Sequence, residues 1–149
     1  WITTEQSWGQ VESEQLSRLG RDITDEEVHR AFFQMNGFKA PGGDGYPASF
    51  YQRNWGTVGQ SVIGFFLKRL WNNPERTEEI NDTLLVLIPK VDQPENVSQF
   101  CPIALCNVLY KGLSKLLVNR LKPLMDKLVS PFQTSFVPKR SIQDNIIIA

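Results

Sequence analysis

The chain has 149 residues, the length of one domain, and its 41% hydrophobic and 21% charged residues are ordinary for a globular protein. Sixteen basic and sixteen acidic side chains give a formal net charge of zero, so global charge gives no argument for a nucleic-acid partner. The apolar runs are shorter than the roughly 18 residues of a membrane helix, and the polar, acidic N-terminus is unlike a secretory signal. We therefore expect an intracellular protein without a membrane partner.

The charges are distributed unevenly along the chain. Residues 1–30 hold seven acids against three arginines, a balance of −4, and the remaining 119 residues hold nine acids against thirteen bases, a balance of +4. Between residues 107 and 127, five bases face a single acid, Asp126. A basic helix could contact phosphate, but a solvated helix face has the same composition, so charge alone leaves both interpretations open.

The first 22 residues are polar and show no clear periodicity, so we interpret residues 1–22 as a linker that precedes one domain, residues 23–149. A helix is predicted at Thr24, because Thr24 and Glu27 have the spacing of a capping box and apolar residues follow at helical intervals. His29 lies off that apolar stripe and, as the single histidine of the chain, has no partner for metal or triad chemistry.

The sequence GFKAPGGDGYP, residues 37–47, has four glycines and two prolines and predicts a loop with positions free to take positive φ. A second helical region is predicted over residues 48–71. We expect it to be bent or broken near Gly56 and Gly59.

A hairpin with a long loop is predicted next. The continuous apolar run TLLVLIPK indicates a buried strand, VDQPENVSQ a polar turn region and FCPIALC a second strand, so the hairpin covers residues 84–106. Pairing about the centre of the loop would place Lys90 roughly opposite Cys101, with both near the strand ends.

Asn107 is a good N-cap for a following amphipathic helix, whose apolar side we expect to hold Leu109, Leu113, Leu116, Leu117 and Leu121. Residues 130–143 read as a connector, and DNIIIA at the end of the chain predicts a final helix that is cut short. Helices packed around one β-hairpin place the chain in the α+β class.

Few residues suggest chemistry. Cys101 and Cys106 are too few for structural zinc and an odd number of positions apart, so on one strand they would point to opposite faces; we interpret them as buried or half-buried free thiols. The glycine-rich APGGDG fits no phosphate-binding fingerprint, and no aspartate lies inside an apolar strand where two-metal chemistry would need it. The residues themselves indicate no catalytic centre.

Three segments considered together resemble one family: KAPGGDGYPASFYQ, LLVLIPKVDQPENVSQFCPIALCNVLYKGLSKLLVNRLKPLM and SPFQTSFVPKRSIQDNIIIA. In order and spacing they are similar to the N-terminal part of the reverse transcriptase domain of plant non-LTR (long interspersed element type) retrotransposons. The resemblance covers roughly residues 24–149.

The resemblance implies a right-hand polymerase, of which this chain would be the fingers and the start of the palm, truncated at its C-terminus. Its partners would be an RNA template, a DNA primer and the remaining palm and thumb of a longer polyprotein. The catalytic aspartates of the family would lie downstream, so the resemblance implies Mg²⁺ for the full-length domain but no cofactor and no catalytic residue in this segment.

Position 101 departs from the family pattern. Members usually read FRPISLC where this chain has FCPIALC, and the resemblance implies that the arginine and the lysine of LIPK hold the triphosphate of the incoming nucleotide. Lys90 matches that lysine, whereas Cys101 replaces the arginine and lacks its planar fork of donors. We interpret Cys101 as a lost cation in a decayed copy of the element. Gly43 (usually proline) and Lys139 (usually glycine) are further departures.

By the same resemblance, nucleic-acid contacts would come from Lys39, Gly42, Asp44, Gly45, Arg140, Asp144 and Asn145. For Lys39 and Arg140 a solvated surface charge is an equal alternative, Asp144 could be a plain N-cap, and the two glycines would serve backbone conformation. Two other functions stay open: a nucleic-acid-binding module without catalysis, and a translated remnant without function.

Overall fold

The structure is a computed structural model that describes residues 11–130, together with residues 133, 137 and 140 and with only the backbone at position 68. Its contacts divide the chain into two units. One comprises residues 22–116, and the other the described residues up to Arg21 and from Leu117 onward. The sequence-based division into a linker and one domain stays a prediction.

Helices and one antiparallel β-hairpin make up the described chain, which confirms the α+β class. The α-helices are α1 (Ser13–Gly20), α2 (Asp25–Phe33), α3 (Ala48–Arg53), α4 (Trp55–Gly64), α5 (Val108–Leu121) and α6 (Met125–Leu128). The strands are β1 (Thr83–Pro89) and β2 (Phe100–Cys106). A π-helix follows α4 at Phe65–Leu70, and 3-10 helices occupy Pro74–Ile80, Val97–Gln99 and Lys122–Leu124. Among the described residues, no helix has the length and apolarity to cross a bilayer.

The predicted capping box opens α2. The hydroxyl oxygen of Thr24 accepts a hydrogen bond from the Glu27 amide at 3.3 Å, and the Glu27 carboxylate accepts one from the Thr24 amide at 3.1 Å. Val28, Ala31 and Phe32 are buried as the periodicity predicted. Local sequence pattern therefore specifies this helix.

An aromatic core lies inside residues 22–116. The fully buried ring of Phe32 lies 5.5 Å from that of Tyr51, 5.4 Å from that of Trp55 and 5.7 Å from that of Phe66, between centroids. Gly112 of α5 allows this packing, because a Cβ there would stand 2.7 Å from the Phe32 ring. The side of α5 that faces the core is therefore lined by a glycine as well as by apolar side chains.

The buried stripe of α5 differs from the predicted one. Val108, Gly112 and Leu116 are buried at intervals of four residues, whereas Leu117 and Leu121 are exposed. The prediction counted large apolar side chains and had no reason to include a glycine, although the smallest side chain is what lets the helix approach the aromatic rings.

The N-terminal half differs in detail from what the sequence pattern predicts. The break in the second helical region falls at Asn54, between α3 and α4, where the side-chain amide donates to the Phe50 carbonyl at 2.8 Å. Gly56 and Gly59 lie within α4. Residues 13–20, interpreted as linker, form α1, and the Arg120 guanidinium donates to the carbonyls of Leu19 and Arg21 at its C-terminal end.

The strand β1 was expected to be buried, and instead the hairpin is exposed. All of β1 except Val86 is exposed, and so are four residues of β2. Leu84 and Leu85 point to opposite faces of the ribbon, so apolar side chains stand in solvent on both faces. Continuous apolarity predicted the strand correctly, but two strands alone offer no layer to bury it.

Candidate functional site

The loop end of the hairpin holds Lys90 and Cys101, the two positions expected to pair. The strands pair in the register Ile88 with Cys101 and Pro89 with Phe100, and the Lys90 amide donates to the Gln99 carbonyl at 2.8 Å. Lys90 is therefore opposite Gln99, and the expected pairing of Lys90 with Cys101 was wrong by two positions.

Lys90 and Cys101 nevertheless share one face of the ribbon. Cys101 is directly opposite Ile88, and Lys90 follows Ile88 by two residues, which returns its side chain to the same face. Diagonal neighbours of this kind are about 7–8 Å apart, within reach of a long side chain. Both residues are exposed, so Cys101 is a free thiol in solvent and not a buried one.

With cysteine at position 101, the charges near the loop end of the hairpin do not favour binding of an anion. The Lys90 ammonium donates to the Ser98 carbonyl at 3.2 Å, and the loop that follows carries two carboxylates, Asp92 and Glu95. Gln99 organises the loop, because its side-chain oxygen accepts from the amides of Glu95 at 2.6 Å and Asn96 at 2.9 Å. One cation thus lies next to a loop of defined shape that carries two carboxylates.

The glycine-rich loop is docked on the start of α5. A Cβ at Gly42 would stand 2.2 Å from the side-chain oxygen of Asn107, which accepts from the Asp44 amide at 3.3 Å. Gly45 has a φ of +75°, a conformation that favours glycine. Both glycines therefore meet backbone requirements, as the sequence analysis expected, and Asp44 accepts from the Tyr46 amide at 3.1 Å to complete the turn.

Two lysines flank the same loop. Lys39 is exposed, and within the described chain its ammonium group makes no hydrogen bond or ion pair. The Lys111 ammonium, on the first turn of α5, donates to the Ala40 carbonyl at 3.0 Å. Sequence reasoning missed Lys111, whose role depends on a contact across 71 positions.

Unlike Lys39, Arg140 is largely enclosed by backbone carbonyls. Its side chain is only 16% exposed, and the guanidinium donates to the carbonyls of Ser130, Gln133, Asp126 and Val129, with the Asp126 carboxylate 3.8 Å away. These acceptors occupy the guanidinium at the end of α6, and its contact with nucleic acid stays a prediction. Asp144, Asn145 and Lys139 lie outside the described residues.

Metal and thiol chemistry find little support in the described part of the chain. No three histidine, cysteine, aspartate or glutamate side chains come together there as metal ligands, so its donor set does not fit a divalent ion. Cys106, half-buried, accepts a hydrogen bond from the Thr83 hydroxyl at 3.5 Å.

A cleft of about 520 Å³ between α2 and α4 was not foreseen. The His29 ring stacks on Phe33 with centroids 4.1 Å apart and meets the Trp55 ring edge-on at 5.3 Å. Asp25 and Arg30 also line the cleft, so charges of both signs surround it. The arrangement accounts for His29 as a packed surface residue.

One relative is informative, while no protein-family model matches the chain. Over 138 residues the chain is 29% identical to the transposon TX1 uncharacterized 149 kDa protein of Xenopus laevis. The match covers 93% of this chain and 10% of that protein, so the chain spans about a tenth of the relative's length. The similarity supports an origin of this chain in a transposable element.

Proposed function

We propose that this chain is the fingers segment, with the start of the palm, of an RNA-directed DNA polymerase encoded by a non-LTR retrotransposon. The ordered motifs from residue 24 onward support the polymerase. The match to a transposon protein, which is 29% identical over 93% of this chain, supports an origin in a transposable element. A plant host rests on the motifs alone, because the matched relative is from a frog.

The observation that carries the proposal is the hairpin end. Lys90 and position 101 are exposed on one face, two positions apart in register, beside an ordered loop. A lysine and an arginine so placed could hold two groups of one polyphosphate, since Arg offers a planar fork of donors and Lys a mobile ammonium group.

Cys101 then makes this copy weak in nucleotide binding. A hydrogen bond to a charged group contributes about 1.5–3 kcal/mol, and losing it weakens binding about ten- to a hundredfold. The loop carboxylates Asp92 and Glu95 add to the loss, because the cation that would offset them is missing. This is what a decayed element copy would show.

The segment contributes binding rather than bond formation. The described residues offer no set of ligands for Mg²⁺, so we assign no metal-dependent step to them. The carboxylates and the ion would belong to the palm of the longer protein, while Lys39 and the glycine-rich loop face an RNA template or DNA primer.

The test restores the arginine. We expect Cys101→Arg to bind a deoxynucleoside triphosphate about ten- to a hundredfold more tightly than the parent chain in a calorimetric titration. Ala104→Arg is the matched control, because it adds the same charge to an exposed position of β2 that points to the opposite face. Equal affinities for the two variants would contradict the proposal.

A second function, nucleic-acid binding without any role in polymerisation, is favoured by Lys39 and Lys111 beside one loop. This second function predicts that oligonucleotide binding weakens as the salt concentration rises. It also predicts that Cys101→Arg does not gain affinity for the triphosphate. The third reading, a non-functional remnant, predicts that the isolated chain does not unfold cooperatively.

A further inference from the structure

Phe38 is the most exposed large apolar side chain among the described residues. It is 95% exposed, beyond Val97 at 83%. Single apolar residues on a surface are common, so exposure alone assigns no role. What distinguishes Phe38 is how firmly the chain around it is held.

The segment before Phe38 is fixed to α3. The side-chain amide of Gln52 donates to the carbonyls of Phe32 and Met35 at 3.0 and 2.9 Å, at the end of α2. Gly37 lies so close to α3 that a Cβ there would stand 3.2 Å from that of Ser49. The chain therefore leaves α2 in one direction.

The turn itself is closed by Asn36. Its side-chain oxygen accepts from the Phe38 amide at 3.0 Å, and its carbonyl accepts from the Lys39 amide at 3.3 Å. Beyond the turn, Ala40 is held by Lys111 and Asp44 by Asn107. Phe38 and Lys39 thus form a tip between two anchored ends, which reduces the conformational entropy lost when a ligand binds.

The charge nearest this tip in the chain is positive, and the first acid of the loop is Asp44. Lys39 is the single charged residue between positions 36 and 43, and the Lys111 ammonium reaches the backbone at Ala40. A ligand that suits an exposed aromatic face beside two cations carries both flat rings and negative charge. A single-stranded nucleic acid has this combination, because a base stacks on the ring while the adjacent phosphate meets the ammonium group.

We infer that Phe38 is a stacking residue for a base of single-stranded nucleic acid, with Lys39 on the neighbouring phosphate. The inference deepens the proposed function and rests on it. It assigns to the tip a sequence-tolerant contact, since every base offers a flat face.

Two oligonucleotides of equal length separate the two contacts. One is a labelled twelve-nucleotide thymidine strand, and the other is an abasic strand with the same number of phosphates. By fluorescence anisotropy at low salt we expect Phe38→Ala to bind the thymidine strand about five- to 150-fold more weakly than the parent chain, with affinity for the abasic strand unchanged. Phe38→Trp should keep the affinity, whereas Phe38→Leu, apolar but without an aromatic face, should lose it.

Lys39→Ala should behave differently. It should weaken binding of both strands and reduce the slope of log affinity against log salt by about 0.7, the value for one phosphate on a single strand. Phe33→Ala is the control for removing an exposed ring, because Phe33 stacks on His29 and lines the cleft between α2 and α4. Unchanged circular dichroism and melting temperature show that Phe38→Ala folds as the parent does.

The outcomes are distinct. Thymidine-strand binding that is the same in Phe38→Ala and the parent chain overturns the inference and leaves the proposed triphosphate site untouched. A parent chain that binds neither strand overturns the inference together with the nucleic-acid part of the proposed function. Titration of Cys101→Arg with a deoxynucleoside triphosphate remains an independent test of the nucleotide-binding part of the proposed function.

Discussion

The aromatic core and the hairpin are built from the same kinds of residues and differ in what covers them. Phe32 and Leu116 are almost completely buried, whereas Leu85 and Leu87 of β1 are half exposed or more, although all belong to residues 22–116. In α2 and α5 the apolar positions recur at helical spacing, so each helix has one face to bury and finds another helix. Both faces of the ribbon are apolar, and two strands can cover neither. Apolar composition therefore predicts an element, while burial depends on a second layer.

The largest effect expected from this difference comes from one substitution made in both regions. Leu116→Ala, at a side chain 1% exposed, should lower the free energy of unfolding by about 2–5 kcal/mol, because it leaves a cavity in the buried core. Leu85→Ala, at a side chain 63% exposed, should change it by less than about 0.5 kcal/mol. Urea denaturation of the two variants measures both changes. Similar losses of unfolding free energy at the two positions would contradict the difference between the core and the hairpin.

A smaller effect concerns the pH dependence of the core. Burial, with the nearby Asp44 carboxylate and Tyr46, raises the pKa of Tyr51 from 10.0 to about 12. The folded state therefore holds the phenol proton more tightly than the unfolded state, and the resulting stability is present below pH 10 and lost as the pH rises to about 12. We expect Tyr51→Phe to unfold with a shallower loss of stability over that range.

The parent chain and Tyr51→Phe share every other ionisable group, so the difference between their stabilities isolates one phenol. The measurement is the urea midpoint at pH 9, 10 and 11. If the urea midpoints of the two proteins fall in parallel as the pH rises, the fold does not hold Tyr51 neutral.

Local pattern explains what could be predicted from the sequence. The capping box at Thr24 and the apolar stripe of α2 lie within one helix, and the two strands were recognised from short apolar runs bounded by turn residues. The register was missed by two positions because Gln99 closes the loop with bonds to Glu95 and Asn96, which pattern reading does not include.

Contacts distant in sequence account for most of what could not be predicted. The approach of Gly112 to Phe32, and of Gly42 to Asn107, joins residues about 65 to 80 positions apart, and a glycine gives no apolar signal. Lys111 is one of several basic residues on α5 until its contact with Ala40 distinguishes it. The position of Lys90 at the end of β1 beside the loop could be predicted because it depends on one hairpin, and its role in nucleotide binding stays a prediction.

Two-dimensional amide NMR of Cys101→Arg during titration with a deoxynucleoside triphosphate most directly tests whether the hairpin end holds a polyphosphate. We expect the shifted amides to cluster at Lys90, Gln99 and residue 101, which the register brings together. Saturating shifts confined to the amides around Lys111 and Lys115 on α5, with the hairpin unchanged, would contradict the account.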